Sequence, residues 1–197
     1  MATAEVNWGD RYPWATAAER DPDGFFARPR VEWGDGPWQD EPDRLRWLTV
    51  AGYPGAIWRS PHTGSLCGYA AVPEGHPYHG KPWRDLELAT DPHGGLTFSG
   101  RLEPLETVWW LGFDCNHFRD LSPVLEATLR DLRHPRHWPR YAAQGRGVPP
   151  PFEGFGDIYR DVPYVRGEVE DLARELVAAA SGQAMLHEAL SGERIPE

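Results

Sequence analysis

The residues best suited to chemistry fall in three runs between Gly75 and Asp120. The most informative is Trp109-Trp110-Leu111-Gly112-Phe113-Asp114-Cys115-Asn116-His117-Phe118-Arg119-Asp120. Strand alternation assigns Trp109, Leu111, Phe113 and Cys115 to an apolar face and Trp110, Gly112 and Asp114 to the other. Trp110, with Gly112 beside it, then makes a floor on which a planar ring can stack. His117, with Asp114 or Asp120 as orienting carboxylate, is an acid–base candidate, because a carboxylate fixes the imidazole tautomer and raises its basicity. Asp114, Cys115, His117 and Asp120, with His93, are also metal-ligand types. No closed Cys/His spacing accompanies them, and alternation turns Cys115 away from Asp114. Neither a metal nor any other cofactor is therefore expected, and Cys115 is read as a buried thiol.

The second run, Asp91-Pro92-His93-Gly94-Gly95-Leu96-Thr97-Phe98-Ser99-Gly100, leads through a glycine hinge into a strand. Gly94 and Gly95 allow close approach of backbone to a ligand. Alternation puts Leu96 and Phe98 in the core and Thr97 and Ser99 on the other side, where Asp114 can face them. The first run, Val72-Pro73-Glu74-Gly75-His76-Pro77-Tyr78-His79-Gly80-Lys81, is too rich in Gly and Pro for regular structure, so His76 and Lys81 sit on a shaped loop. Lys81 is the only lysine among the twenty basic residues, which marks a place that wants a compact ammonium.

Two uses of these runs are expected. In the first, His76, Lys81, His93, Gly94, Gly95, Thr97, Ser99, Trp110 and Asp114 line a pocket for a nucleotide-derived small molecule: Trp110 stacks the base, and His76, Lys81 and the Gly94-Gly95 amides meet phosphate. In the second, His117 or His93 supplies acid–base catalysis in a metal-independent phosphodiesterase or other hydrolase, with Lys81 stabilising developing charge. A third reading has the Trp-rich arm and an Arg-rich lobe blocking another protein. The chain carries no GxSxG, P-loop, dinucleotide-binding or HExxH motif.

Positioning these groups falls to an α+β fold, a mostly antiparallel sheet with two helices and an irregular arm. Residues 1–43, dense in Asp, Gly, Pro and Trp, lack helical or strand periodicity and are expected to pack across the domain. Strands are expected at Arg46–Val50, Ala56–Ser60, Leu66–Val72, Leu96–Gly100 and Thr107–Asp114. Ser122 and Pro123 open a helix to Arg133, with Leu125, Leu129 and Leu132 on one face. A second helix from Pro163 carries the stripe Val165, Val169, Leu172, Leu176 and Val177 until Ser181-Gly182 breaks it. One domain, 44–180, results, with an Arg/Pro-rich insertion at 122–156 and a short tail at 181–197. Arg130 to Arg146 holds five Arg against one Asp.

The net charge of −10 argues against a duplex nucleic-acid binder, which needs a basic footprint. No apolar run reaches membrane-spanning length and no signal-peptide pattern opens the chain, so a cytoplasmic protein is expected. Cys67 and Cys115 are too few for a disulfide framework. Edge strands leave homo-oligomers open.

The order and spacing of several motifs resemble an uncharacterised family of small proteins common in bacteriophage and prophage genomes. The likeness lies in Gly36-Pro37-Trp38 with Glu41-Pro42, in Cys67-Gly68-Tyr69 with Val72-Pro73 and Gly75-His76-Pro77, and in His93-Gly94-Gly95-Leu96-Thr97-Phe98. It continues through Trp109-Trp110, Gly112-Phe113-Asp114-Cys115, His117 and Asp120 to Tyr159-Arg160-Asp161, Tyr164-Val165 and Glu168. The resemblance implies an accessory protein acting in a bacterial host cell, by analogy in counter-defence, where it would sequester or cleave a nucleotide immune signal.

Overall fold

Apolar alternation from Arg44 onward builds a six-stranded antiparallel sheet. The computed structural model describes residues 17–22, 24–89, 91–102, 105–132 and 157–191, without the side chains of 105–107 and 183–191. Strands β1 (Ala17–Glu19), β2 (Arg44–Leu48), β3 (Pro54–Arg59), β4 (Leu66–Val72), β5 (Phe98–Leu102) and β6 (Leu105–Asp114) lie in the order β1-β2-β3-β4-β6-β5. The expected runs are all present, displaced by two residues at some ends. The arm is not wholly irregular, because β1 pairs with β2 through Ala18 and Leu45.

Register fixes two faces. On one, Trp47, Ile57, Leu66, Ala70, Leu111 and Phe113 meet the apolar stripe of helix α2 (Val162–Ser191), led by Val165, Val169, Leu172 and Leu176. Cys115 is buried here as a free thiol. On the other, Trp110 lies under Trp58, Tyr69 and Phe98. Ser181-Gly182 does not end α2: the Ser181 hydroxyl donates back to the Val177 carbonyl and the helix runs on to Ser191.

Helix α1 (Pro123–Leu132) buries Pro123, Val124 and Ala127 and turns Leu125, Leu129 and Leu132 outward. Its neighbours are Trp33 and Trp38 of the arm, nearly fully buried with Phe26, Leu121 and Tyr159. Burying these rings inside the domain explains why the arm is so rich in them. Ser122 occupies the N-cap position of α1, its carbonyl accepting from the Glu126 amide, while its hydroxyl donates to Asn116 Oδ1. Of the Arg-rich lobe, residues 133–146 lie outside the described residues. Arg130 donates to the carbonyls of Glu32 and Trp33.

A charged cluster closes the end of the sheet where the arm crosses it. The Arg59 guanidinium is wholly buried and donates to Asp43 at 2.8 Å, Glu41 at 2.9 Å, the Gly64 carbonyl at 2.9 Å and the Tyr159 hydroxyl at 2.6 Å. Arg30 adds a second guanidinium to Asp43. Replacing one partner of such a set strands the others without solvent. Arg59→Met is therefore expected to cost roughly 3–5 kcal/mol in urea unfolding; a loss under about 1 kcal/mol, the range of an exposed pair, would refute the role given to this cluster.

Candidate functional site

Three backbone devices converge on one carboxylate. The first is the glycine hinge after β4, where the Gly95 amide donates to the Pro92 carbonyl and Gly94 takes a φ of +67°. A side chain at Gly94 would have its Cβ 2.5 Å from Cε1 of His117, so the bare Cα is what lets the two segments touch. The second is the turn after β6: the Asp120 amide donates to the His117 carbonyl, and the His117 amide to Asp120 Oδ2 at 3.0 Å. The third is the start of α2, reached by a short parallel bridge between Asp120 and Ile158. Asp161 caps this helix by accepting from the Tyr164 amide at 2.9 Å. Tyr164 and Glu168, one turn apart, then point to the same side.

The result is a histidine–carboxylate centre. His93 Nε2 lies 2.7 Å from Asp120 Oδ2 and its Nδ1 lies 2.9 Å from the Tyr164 hydroxyl. The His93 amide donates to Glu168 Oε2 at 2.9 Å. Arg160 Nε donates to Asp120 Oδ1 at 3.0 Å, and its guanidinium lies over the Tyr164 ring. His117 packs edge-on to His93, centroids 5.3 Å apart, with its Nδ1 3.6 Å from Asp120 Oδ2. That Nδ1 is buried without a hydrogen-bond partner among the described residues, while about a third of the His117 side chain remains exposed.

Burial pushes the Asp120 carboxyl up, but hydrogen bonds from His93, the His117 amide and Arg160 outweigh it and hold the group below its ordinary value. Asp120 is thus an ionised acceptor for the His93 ring and the His117 amide, with the His117 ring beside it. Burial, and then the nearby Glu168 carboxylate, raise the Tyr164 phenol, which stays protonated. Beside the centre, a groove of about 610 Å³ runs between the loop at Asp91-Pro92 and the α2 residues Glu168, Asp171, Leu172 and Glu175. Asp91, Glu168, Asp171 and Glu175 outnumber Arg174, which pairs with Asp171, so the lining is net acidic.

Of the residues singled out in the sequence, His93, Gly94, Gly95 and His117 belong to this centre, and Asp120 is the orienting carboxylate. Asp114 instead accepts from the Asn116 amide at 3.1 Å, shaping the turn. Trp110 is wholly buried, and the space above Gly112 is filled by Tyr69, whose Cδ1 a Cβ there would meet at 2.3 Å. Neither forms an open stacking floor. Phe98 pairs with Gly112 and Ser99 with Leu111, so Phe98, not Ser99, shares the face of Asp114. The cause is that Leu96 and Thr97 precede the strand, where alternation does not yet apply. Ser99 Oγ accepts from the Trp83 amide, and the Thr97 amide donates to the Gly112 carbonyl. Lys81 is exposed.

His76 is buried against α2, where its Nδ1 accepts from the Tyr78 amide and its Nε2 therefore donates to the Leu176 carbonyl. Leu176 lies eight residues beyond Glu168, about 12 Å along the helix, so His76 and His93 serve different places. The groups the sequence did not single out as site residues are Arg160, Tyr164 and Glu168. The available signal is the Asp161 cap followed by two polar residues a turn apart beside the apolar stripe.

The fold and site together define an α+β sheet protein with a histidine–carboxylate centre between a glycine hinge and a helix start. The chain matches no protein-family model, no curated protein and no solved structure. No helix among the described residues is long and apolar enough to cross a membrane.

Burial lowers the pKa of His76, against the opposing effect of its bond to the Leu176 carbonyl. The unfolded chain takes up a proton near pH 6.5 and the folded one only lower. The stability this site contributes is full above about pH 6.5 and falls as the pH drops through the folded value. Across that interval the melting temperature of His76→Gln should fall less steeply than that of the parent. Parallel slopes would mean that His76 is not held neutral.

Proposed function

We propose that the His93–His117–Asp120 centre is the active site of a hydrolase acting on a small nucleotide-derived molecule. The observation that carries this reading is the pair of imidazoles on one buried, ionised carboxylate, with an edge of His117 exposed. Hydrolysis needs water deprotonated and placed, and an imidazole oriented by a carboxylate does this near neutral pH. Tyr164 and Glu168 fix His93 from its far side, so little reorganisation is needed on binding.

Geometry favours turnover over sequestering. The binding pocket expected from the sequence required Trp110, Thr97, Ser99, Asp114, His76 and Lys81 to meet at one place, and their side chains serve separate contacts or lie apart. A ring for stacking a base is available in Phe118, four-fifths exposed in the same turn as His117. Of the arm proposed to block another protein, Trp33 and Trp38 pack into the core; residues 1–16 and 133–146 lie outside the described residues.

Incubation with a panel of cyclic and linear nucleotides, in buffers with and without added divalent ions, followed by chromatography, tests this reading. One member should be converted to a new species. His117→Gln and Asp120→Asn should each lower the rate by roughly 10²-fold or more, with His117→Gln leaving the melting temperature nearly unchanged. Panel members returned intact under every ionic condition would remove the proposal.

A further inference from the structure

We infer that His93 Nε2, His117 Nδ1 and Asp120 Oδ2 form a binding site for one divalent first-row transition ion, which names the cofactor of the hydrolytic centre proposed above. One ligand atom from each of the three residues lies within 4.8 Å of the other two. An ion bonded at about 2.0–2.1 Å in a tetrahedral set needs its ligands roughly 3.3 Å apart. Asp120 Oδ2 is already 3.6 Å from His117 Nδ1 and 2.7 Å from His93 Nε2. Both contacts to the carboxylate thus lie within an ångström of that spacing, and the two imidazoles, whose ligand atoms are no more than 4.8 Å apart, close on the ion as it binds.

The supporting contacts are those a metal centre uses. A ligating imidazole commonly donates its second ring nitrogen to a partner, and a ligating carboxylate has its other oxygen held. Tyr164 meets His93 Nδ1 and Arg160 holds Asp120 Oδ1. With an ion on Nε2, the neutral His93 ring carries its proton on Nδ1 and donates it to the Tyr164 oxygen. His117 supplies the independent sign: a buried ring nitrogen with no hydrogen-bond partner among the described residues, aimed at the shared carboxylate. A buried unsatisfied nitrogen is costly, and a bound ion satisfies it. Gly94, bare against the same ring, leaves the space this pose requires.

Two nitrogens and one oxygen select zinc-like ions over magnesium or calcium, which prefer all-oxygen shells. Three protein ligands leave a coordination position for water, the arrangement of catalytic rather than structural sites. Water activation then belongs to the ion, and His117 serves as ligand. The acidic groove alongside, with Asp91, Glu168, Asp171 and Glu175, draws cations toward the centre.

The test titrates the chelator-treated full chain with ZnCl₂ by calorimetry and with CoCl₂ by visible absorption, without substrate. One ion per chain should bind, and Co²⁺ should show the intense d–d bands of a low-coordinate site. His117→Gln and His93→Gln should each weaken binding at least tenfold. Tyr164→Phe, which touches His93 only from behind, should weaken it by about tenfold. His62→Gln, in the exposed hairpin loop, should change nothing. His117 is partly exposed, so its variant keeps the test usable if the His93 variant fails to fold. Absence of stoichiometric binding, or binding indifferent to His117→Gln, overturns the site. Ion binding with no nucleotide turned over upholds the site and removes the hydrolase; turnover by a chain that binds no ion does the reverse.

Discussion

A single buried guanidinium organises this fold. Arg59 lies at the end of β3, its side chain shielded from solvent, and three parts of the chain must converge to satisfy it: Asp43 and Glu41 from the arm, the Gly64 carbonyl from the β3–β4 hairpin, and Tyr159 ahead of α2. A charge in such surroundings is tolerable only when fully ligated. The cluster therefore makes the arm part of the domain, and Trp33 and Trp38 fill the space beside it. The tryptophans add apolar burial, while the charges dictate where the arm must lie.

From this cluster a continuous set of contacts leads to the candidate site. Glu41, held by Arg59, also accepts from the Val162 amide at 2.9 Å and from the Tyr159 hydroxyl at 2.5 Å, which fixes the first turn of α2. The segment so fixed delivers Arg160, just ahead of α2, to Asp120, and Tyr164 and Glu168 of α2 to His93. The apolar stripe behind it, Val165 to Leu176, anchors the helix on the sheet. Precise placement of the imidazoles is thus inherited from groups well outside the centre.

Much of the fold was legible because its signals are local. Alternation located five strands and the stripe located α2, while β1 is a three-residue edge with too little sequence to carry a period. The assignment of Trp110 to the face opposite Phe113 holds, but alternation says nothing of whether a face is open, and Tyr69 and Phe98 close this one. The site was half legible. His93, Gly94, His117 and Asp120 drew notice as residues of the polar, turn-rich runs; Arg160, Tyr164 and Glu168 entered only as motif residues of the resemblance, with no site role. Only the Asp120–Ile158 bridge and the capped start of α2 bring them together, and pairings over forty residues leave no periodic trace. Asp114 shows the converse error, since its short side chain serves the turn that aims His117.

The dispersal of the centre along the chain also sets when it can exist during synthesis. Domains are made from the N-terminus onward, and early segments wait for late ones. A nascent chain that ends before residue 159 already holds both histidines and Asp120, yet lacks Arg160, Tyr164 and Glu168 to fix them. It also lacks Tyr159 to complete the ligation of Arg59. The arrangement of the centre is therefore incomplete on the ribosome until helix α2 docks, so the assembled centre and completed folding arrive together.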